Sequence, residues 1–250
     1  MIKKTIIALL VVLPMAAAGQ GVETNADTAA RIVDRYIGML NYGALPSDSV
    51  LTMRTVVTVG DQGDTFVMLR WFVPPQMMRL EVWKGKRLHA ALCTNGKDRY
   101  RQYKPDLGYW VTVEKVGFYE RLVGYDFRGP LYNWRAHGAS LKYKGLTTAM
   151  GGHRLETVEV EAPGQYKRYY FFEPTGLLSV IVETDEIDVD EYKKSDLTRI
   201  EWKCFHEYLQ IGESLLPKQE SFLRQGMLTV EETEAHFEPF DALLFNIDRR

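Results

Sequence analysis

Two periodicities divide the sequence. Between residues 26 and 41 apolar side chains recur at helical spacing, and Ala29, Ile32, Val33, Tyr36, Ile37 and Leu40 share one face. Thr24 with Asp27 three residues on is a fitting N-terminal cap, and Gly43 and Pro46 end the helix. From Ser49 the period becomes two. Leu51, Met53, Val57 and Val59 alternate with Thr52, Arg54 and Thr58, and Gly60-Asp61-Gln62-Gly63 turns the chain into a second strand, Thr65–Val73.

The turn sets which side chains share a face. A three-residue loop, Asp61-Gln62-Gly63, pairs odd positions with odd and gives Gly63 the left-handed conformation that such loops favour. Leu51, Met53, Val57 and Val59 then share a face with Val67, Leu69, Trp71 and Val73, and Arg54 and Arg70 fall together on the other. The set without arginines is expected to face inward, since an unpaired charge is costly to bury. The next hairpin, about Gly85, sets Met78, Leu80 and Val82 against Leu88, Ala90 and Leu92.

Later strands are read over residues 98–103, 109–113, 140–146, 153–161, 166–173, 177–183, 197–209, 218–224 and 227–237, punctuated by Asn95-Gly96, Gly151-Gly152, Pro163-Gly164 and Pro174-Thr175-Gly176. Between Val113 and Phe127 the alternation fails, and Phe118, Tyr119, Leu122 and Val123 suggest a short helix. The expected fold is mainly β: one strongly curved, open antiparallel sheet of about 11 strands, a half-barrel with an N-terminal helix and a short lid helix. It forms a single domain over residues 20–250.

The amino end carries an address. Lys3 and Lys4 precede an apolar run from Ile6 to Ala18, interrupted by Pro14 and too short for the roughly 20 residues of a membrane span. With Ala16-Ala17-Ala18 it reads as a secretory signal peptide over residues 1–19, cut after Ala18 or Gly19, and places the mature protein in a bacterial periplasm as a soluble chain. With Lys plus Arg at 31, Asp plus Glu at 33 and a net charge of -2, the chain lacks the basic excess of a nucleic-acid binder. Cys93 and Cys204 are too far apart for a redox or zinc pair and read as buried free thiols, although export also permits a disulfide.

Catalytic patterns are near misses. Gly212-Glu213-Ser214-Leu215-Leu216 lacks the last glycine of a nucleophile elbow and reads as a hairpin turn closed by Pro217. His206-Glu207 begins a zinc-protease pattern, but Gln210 stands where the second histidine belongs and the stretch reads as strand. The other histidines, His89, His137, His153 and His236, are scattered. The acidic run Glu183, Asp185, Glu186, Asp188, Asp190 and Glu191 lacks the glycine of a calcium loop and reads as a solvated connection. No catalytic residue, metal or cofactor is assigned.

Several stretches resemble the periplasmic lipoprotein-carrier (LolA-like) family in a divergent form. They are the front helix ending in Tyr36-Ile37, Thr94-Asn95-Gly96-Lys97 leading to Tyr103-Lys104-Pro105, and Tyr125-Asp126-Phe127-Arg128-Gly129-Pro130-Leu131 with Gly138 and Tyr143-Lys144-Gly145. The run from Leu155 to Val182, and Ile211-Gly212 with Leu216-Pro217, complete them. Pro74-Pro75 stands where family members carry the arginine that latches the lid. The resemblance implies a non-enzymatic carrier or binder of lipoproteins or lipids for outer-membrane sorting, with acyl chains in an apolar cavity and donor and acceptor proteins at the two membranes. An envelope sensor or adaptor of the same fold, or a hydrolase, is the alternative. The expected cavity lining is Met53, Val57, Val67, Leu69, Trp71, Leu80, Val82 and Leu88, with Phe118 and Leu122 closing the mouth.

The amino-terminal reading has a direct check: the exported protein should begin near Gly19 or Gln20, and an intact mass retaining residues 1–18 would contradict it.

Overall fold

The computed structural model describes residues 24–60, 63–74, 76–115, 127–129, 131–132, 134–136, 138–148, 154–161, 168–183, 201–224 and 227–246. The expected signal peptide, Phe118 and Leu122 of the lid helix, His137, His153 and the acidic run from Asp185 onward lie outside the described residues.

Helix α1 spans Asn25–Leu40 and a 3-10 turn follows at Tyr42–Ala44. The strands are β1 (Ser49–Val59), β2 (Asp64–Val73), β3 (Met77–Lys84), β4 (Arg87–Thr94), β5 (Tyr100–Lys104), β6 (Tyr109–Thr112), β7 (Ser140–Thr148), β8 (Arg154–Glu161), β9 (Arg168–Phe172), β10 (Leu178–Glu183), β11 (Glu201–Ile211), β12 (Ser214–Arg224) and β13 (Met227–Pro239). A second 3-10 turn, Ala242–Phe245, comes last. Every segment read as a strand pairs, so the open antiparallel sheet has 13 strands rather than about 11, in the order β6-β5-β4-β3-β2-β1-β13-β12-β11-β10-β9-β8-β7. Among the described residues no helix is long and apolar enough to cross a membrane.

The chain divides into two compact units, Met1–Met39 with Asn133–Cys204, and Leu40–Tyr132 with Phe205–Arg250. In the first, α1 buries Ala29, Ile32, Val33 and Tyr36, the stripe its periodicity marked. The Tyr36 ring meets Phe172 of β9 edge-on at 5.6 Å, and Arg35 pairs with Glu156 of β8. Asp34 accepts two bonds from Arg135, at 2.8 and 2.6 Å, and that hydrogen bonding holds its carboxyl below the ordinary value. The opposite face of β8–β10 carries its own cluster of Leu155, Tyr169, Phe171 and Val180, with Cys204 packed against it.

The second unit overturns the register expected for the first hairpin. Leu51 lies opposite Phe72, Met53 opposite Arg70 and Val57 opposite Phe66, so odd positions pair with even. The loop is longer than three residues because Gly60 belongs to the other ladder: its N–H bonds the Leu228 carbonyl at 2.8 Å. Val59 then faces Asp64, and both described glycines of the loop are left-handed, Gly60 at φ 65° and Gly63 at φ 69°. Since side chains of directly opposed residues share a face, Leu69 and Trp71 point away from Met53 and Val57, and Arg54 and Arg70 lie on opposite sides. The β3–β4 pair keeps Leu80 against Leu92 and Val82 against Ala90. An irregularity beyond Val82 then sets Leu88 opposite Trp83 instead of on the Val82 side. The β11–β12 turn is Gly212-Glu213, and Pro217 lies inside β12 rather than closing the turn.

Asn95-Gly96 forms the turn its sequence promised. The Asn95 side-chain oxygen accepts from the backbone N–H groups of Lys97, Asp98 and Arg99, and Gly96 is left-handed at φ 74°. A Cβ at Gly96 would stand 3.0 Å from the Gln76 carbonyl carbon and 3.1 Å from the Met77 nitrogen, whereas at Gly108, φ 72°, it would meet nothing within 4 Å. Gly96→Ala should therefore destabilise by about 1–3 kcal/mol, and by clearly more than Gly108→Ala, in paired urea melts. Equal midpoints for the two variants would contradict this.

Candidate functional site

The two faces of β1–β4 in the second unit differ in what they offer. The first face carries Leu51, Met53, Thr55 and Val57 from β1, and Phe66, Met68, Arg70 and Phe72 from β2. Met78, Leu80 and Val82 of β3 and Ala90 and Leu92 of β4 continue it. At one end an aromatic cluster closes it: Phe127 meets Phe72 at 5.2 Å and Tyr42 at 5.4 Å, and the Arg128 guanidinium lies over Phe72 and Tyr132. Along the middle, Met53, Leu80 and Met68 are buried; at the far end Val57, Phe66, Val82 and Ala90 are only half-buried. The result is an apolar stripe, four strands wide, that grows more accessible along its length.

A line of polar groups crosses that stripe. Arg70 is 7% exposed, and its Nη2 donates to the Thr55 hydroxyl at 2.5 Å. Thr55 shares a hydrogen bond of 2.8 Å with Thr233 of β13, and both threonines are buried. Two residues from Thr233 along β13 the same face presents Glu231, opposite Val57, and, directly opposite it on β12, the buried Glu220. The period-two pattern gave no signal for this line, because Arg70 sits at a core position of the observed register.

The second face holds Val67, Leu69, Trp71 and Leu88. Here the chain's own C-terminal segment is the cover: Phe245 packs with Val50, Val73 and Cys93, and Leu244 joins Trp71, Met77 and Trp110 around them. Arg79 fastens it. Its guanidinium pairs with Glu81, donates to the Leu244 carbonyl at 2.8 Å, and lies 5.7 Å from the Trp71 ring centre and 5.9 Å from that of Trp110. Glu81 accepts in turn from Trp83 Nε1 at 2.9 Å. A cavity of about 500 Å³ remains beside this clasp, lined by Leu69, Trp71, Trp110 and Leu243 among others. A smaller one, about 300 Å³, lies between Cys93, Arg101, Thr112 and Phe245.

The structure therefore brings Met53, Val57, Leu80 and Val82 together and sets Val67, Leu69, Trp71 and Leu88 behind them. The near-miss motifs have structural partners. Ser214 is buried in β12 and donates to the Asn41 carbonyl at 2.9 Å, steadying the one non-glycine residue with a left-handed backbone, Asn41 at φ 49°, among the described residues. His206 bonds Ser221 and Glu207 pairs with Lys218, both across the β11–β12 hairpin. Among the described residues no group of three or more His, Cys, Asp or Glu could hold a metal ion.

Comparison with protein-family models and with curated sequences returns no match. Solved structures do match in fold. A LolA superfamily protein from Nitrosomonas europaea superposes with a TM-score of 0.57 at 10% identity, over 89% of this chain and 99% of that one. A DUF1329 family protein from Desulfovibrio piger gives 0.58 at 11%, over 90% and 98%. A putative outer membrane lipoprotein-sorting protein domain from Vibrio parahaemolyticus gives 0.56 at 12%, over 90% and 98%. The fold is LolA-like, as the sequence resemblance implied.

Both cysteines are free, and burial pushes the Cys93 thiol up to about 12 and that of Cys204 to about 11. Since the thiolate is the reactive form, neither should alkylate at pH 8 in the folded protein, and both should once urea unfolds it without reductant. Failure to label after unfolding would reveal a disulfide, and rapid native labelling would contradict the burial of the thiols.

Proposed function

We propose that this protein is a non-enzymatic periplasmic binder and carrier of acylated lipoproteins or lipids, with the acyl chain lying along the first face of β1–β4. The observation that carries the reading is that stripe: an apolar face buried at Met53, Met68 and Leu80 that opens towards Val57 and Val82, on a sheet whose other side is covered by the C-terminal segment. The solved structures of this fold include a putative outer membrane lipoprotein-sorting protein domain, and that description supports the substrate class. An acyl chain of about 15 methylenes costs on the order of 12 kcal/mol to hold in water. A carrier has to shield most of it and still release it. A stripe tightly packed at its aromatic end and looser at Val57 and Val82 suits both demands. Val67, Leu69, Trp71 and Leu88 then serve the packing of the second face rather than the ligand.

The two faces give opposite expectations for one kind of substitution. Val82→Gln puts an amide against the acyl chain, where an unsatisfied polar group costs about 1–3 kcal/mol, hence roughly ten- to hundredfold in affinity. Leu69→Gln should leave affinity unchanged. The measurement is displacement of a fluorescent fatty acid, with a melting curve for each variant. Loss of binding in folded Leu69→Gln but not in Val82→Gln would move the site to the second face, and no binding by the wild type would end the carrier reading.

A further inference from the structure

The open end of the stripe is also the end at which strands of the second unit turn. β1, β3, β5 and β12 finish there, and β2, β4, β6 and β13 start there, because neighbours run antiparallel. Val57, Phe66, Val82 and Ala90, the half-buried part of the stripe, lie within a few residues of these strand ends. The β3–β4 turn is basic: Lys84, Lys86 and Arg87 are all exposed about the left-handed Gly85, φ 58°, in a chain whose net charge is -2. Lys84 pairs with Asp64 at 3.1 Å and lies over the Phe66 ring of the stripe, whereas among the described residues Lys86 and Arg87 make no ion pair. Large apolar side chains stand in water on either side of this turn in strand order. In the β5–β6 turn the Lys104 carbonyl accepts from the N–H groups of Leu107, at 3.1 Å, and Gly108, at 2.8 Å, and Leu107 is left 58% and Tyr109 53% exposed. Met227, beside Gly60 where β13 begins, is 50% exposed. A single exposed leucine is ordinary. Leucine, tyrosine and methionine exposed on the same rim as a basic turn make that rim amphipathic.

We infer that this rim docks on the surface of an anionic lipid bilayer, with Leu107, Tyr109 and Met227 entering the headgroup region and Lys86 and Arg87 lying over the lipid phosphates. Interfacial binding gains from both terms at once, apolar area removed from water and attraction of basic side chains to anionic lipid. Tyrosine suits the boundary, since its ring sits at headgroup level while its hydroxyl stays wet. The charge also orients the molecule: the exposed side chains of β13 further from the rim, Glu232 and Glu234, are acidic and face away from such a surface. Docked in this way, the looser end of the stripe meets the bilayer, and an acyl chain passes between lipid and sheet with little exposure to water. That consequence rests on the acyl-binding reading; the docking itself is read from the rim and needs no bound ligand.

The test is flotation of the exported protein, without added ligand, on protein-free vesicles of phosphatidylcholine alone and of phosphatidylcholine with phosphatidylglycerol. The anionic vesicles should bind at least about tenfold tighter, and high salt should remove most of the difference. Each basic side chain near an anionic surface is worth about fivefold in binding, so Lys86→Gln with Arg87→Gln should weaken it roughly ten- to thirtyfold. Leu107→Ser should weaken it at both salt concentrations. Lys97→Gln, an equal change of charge in the turn at the other end of β4 and β5, should leave it unaltered. Equal binding to the two kinds of vesicle, or equal loss in Lys97→Gln, overturns the inference, as does binding that survives both rim variants. Binding to native membranes but not to protein-free vesicles points to a protein partner and overturns it too. The substituted side chains lie outside the stripe, so displacement of a fluorescent fatty acid from the same variants reads the acyl site separately: it persists if only the docking fails, and its absence from the wild type ends the acyl reading whatever the vesicles show.

Discussion

The ladder between β1 and β13 is the constraint on which the rest of the second unit depends. It joins Ser49 to Pro239 and Val59 to Thr229 over the whole length of β1, across a sequence separation that no hairpin provides. It makes β1 an interior strand, so both its faces need cover. It also claims the N–H of Gly60 for the Leu228 carbonyl, which lengthens the β1–β2 loop. With Gly60 so engaged, Val59 faces Asp64, and that register sets which half of β2 looks to which side.

Two faces with different fates follow. On the second, the C-terminal segment lies against Val50, Val73 and Cys93, held by Arg79 between two tryptophans. Glu81 neutralises Arg79, Trp83 satisfies Glu81, and the free lone pairs of the Leu244 carbonyl are used. A buried charge is tolerable when paired and hydrogen-bonded in this way. The first face has Tyr42, Phe127 and Phe72 at one end and half-buried aliphatic side chains at the other. Its buried Arg70 donates to Thr55, which is bonded in turn to Thr233 of β13. The contrast between a face covered by the chain itself and an apolar stripe that opens at one end is the physical basis of the functional reading.

Much of the fold was legible because it is written in local periodicity. The α1 stripe of Ala29, Ile32, Val33 and Tyr36 is buried as its spacing required, and the Asn95-Gly96 and Pro174-Thr175-Gly176 turns stand where they were read. Register was not legible, because the β1–β13 ladder that engages Gly60 joins residues far apart in sequence. The shift of Leu88 away from the Val82 side needs one extra residue in β4, which alternation does not mark. Charge argues for putting Arg70 with Arg54 on a solvent face; its hydroxyl partner Thr55 lies on β1 and is bonded in turn to Thr233 of β13, and only the folded sheet brings these together. The cover of the second face was missed for a different reason: residues 240–246 are too short to carry a period, and their grip comes from Arg79, far away in sequence.

The central claim is that an acyl chain lies on the first face and not the second, and the methionines report on it from both sides. Met53, Met68 and Met78 belong to the first face, while Met77 packs with the cluster on the second. The decisive measurement is a methyl spectrum of the protein with labelled methionines, recorded with a stearate bearing a nitroxide on its chain. The prediction is broadening strongest at Met53 and Met68 and weaker at Met77, which lies across the sheet. Broadening centred on Met77, or none at any of the four, would contradict it.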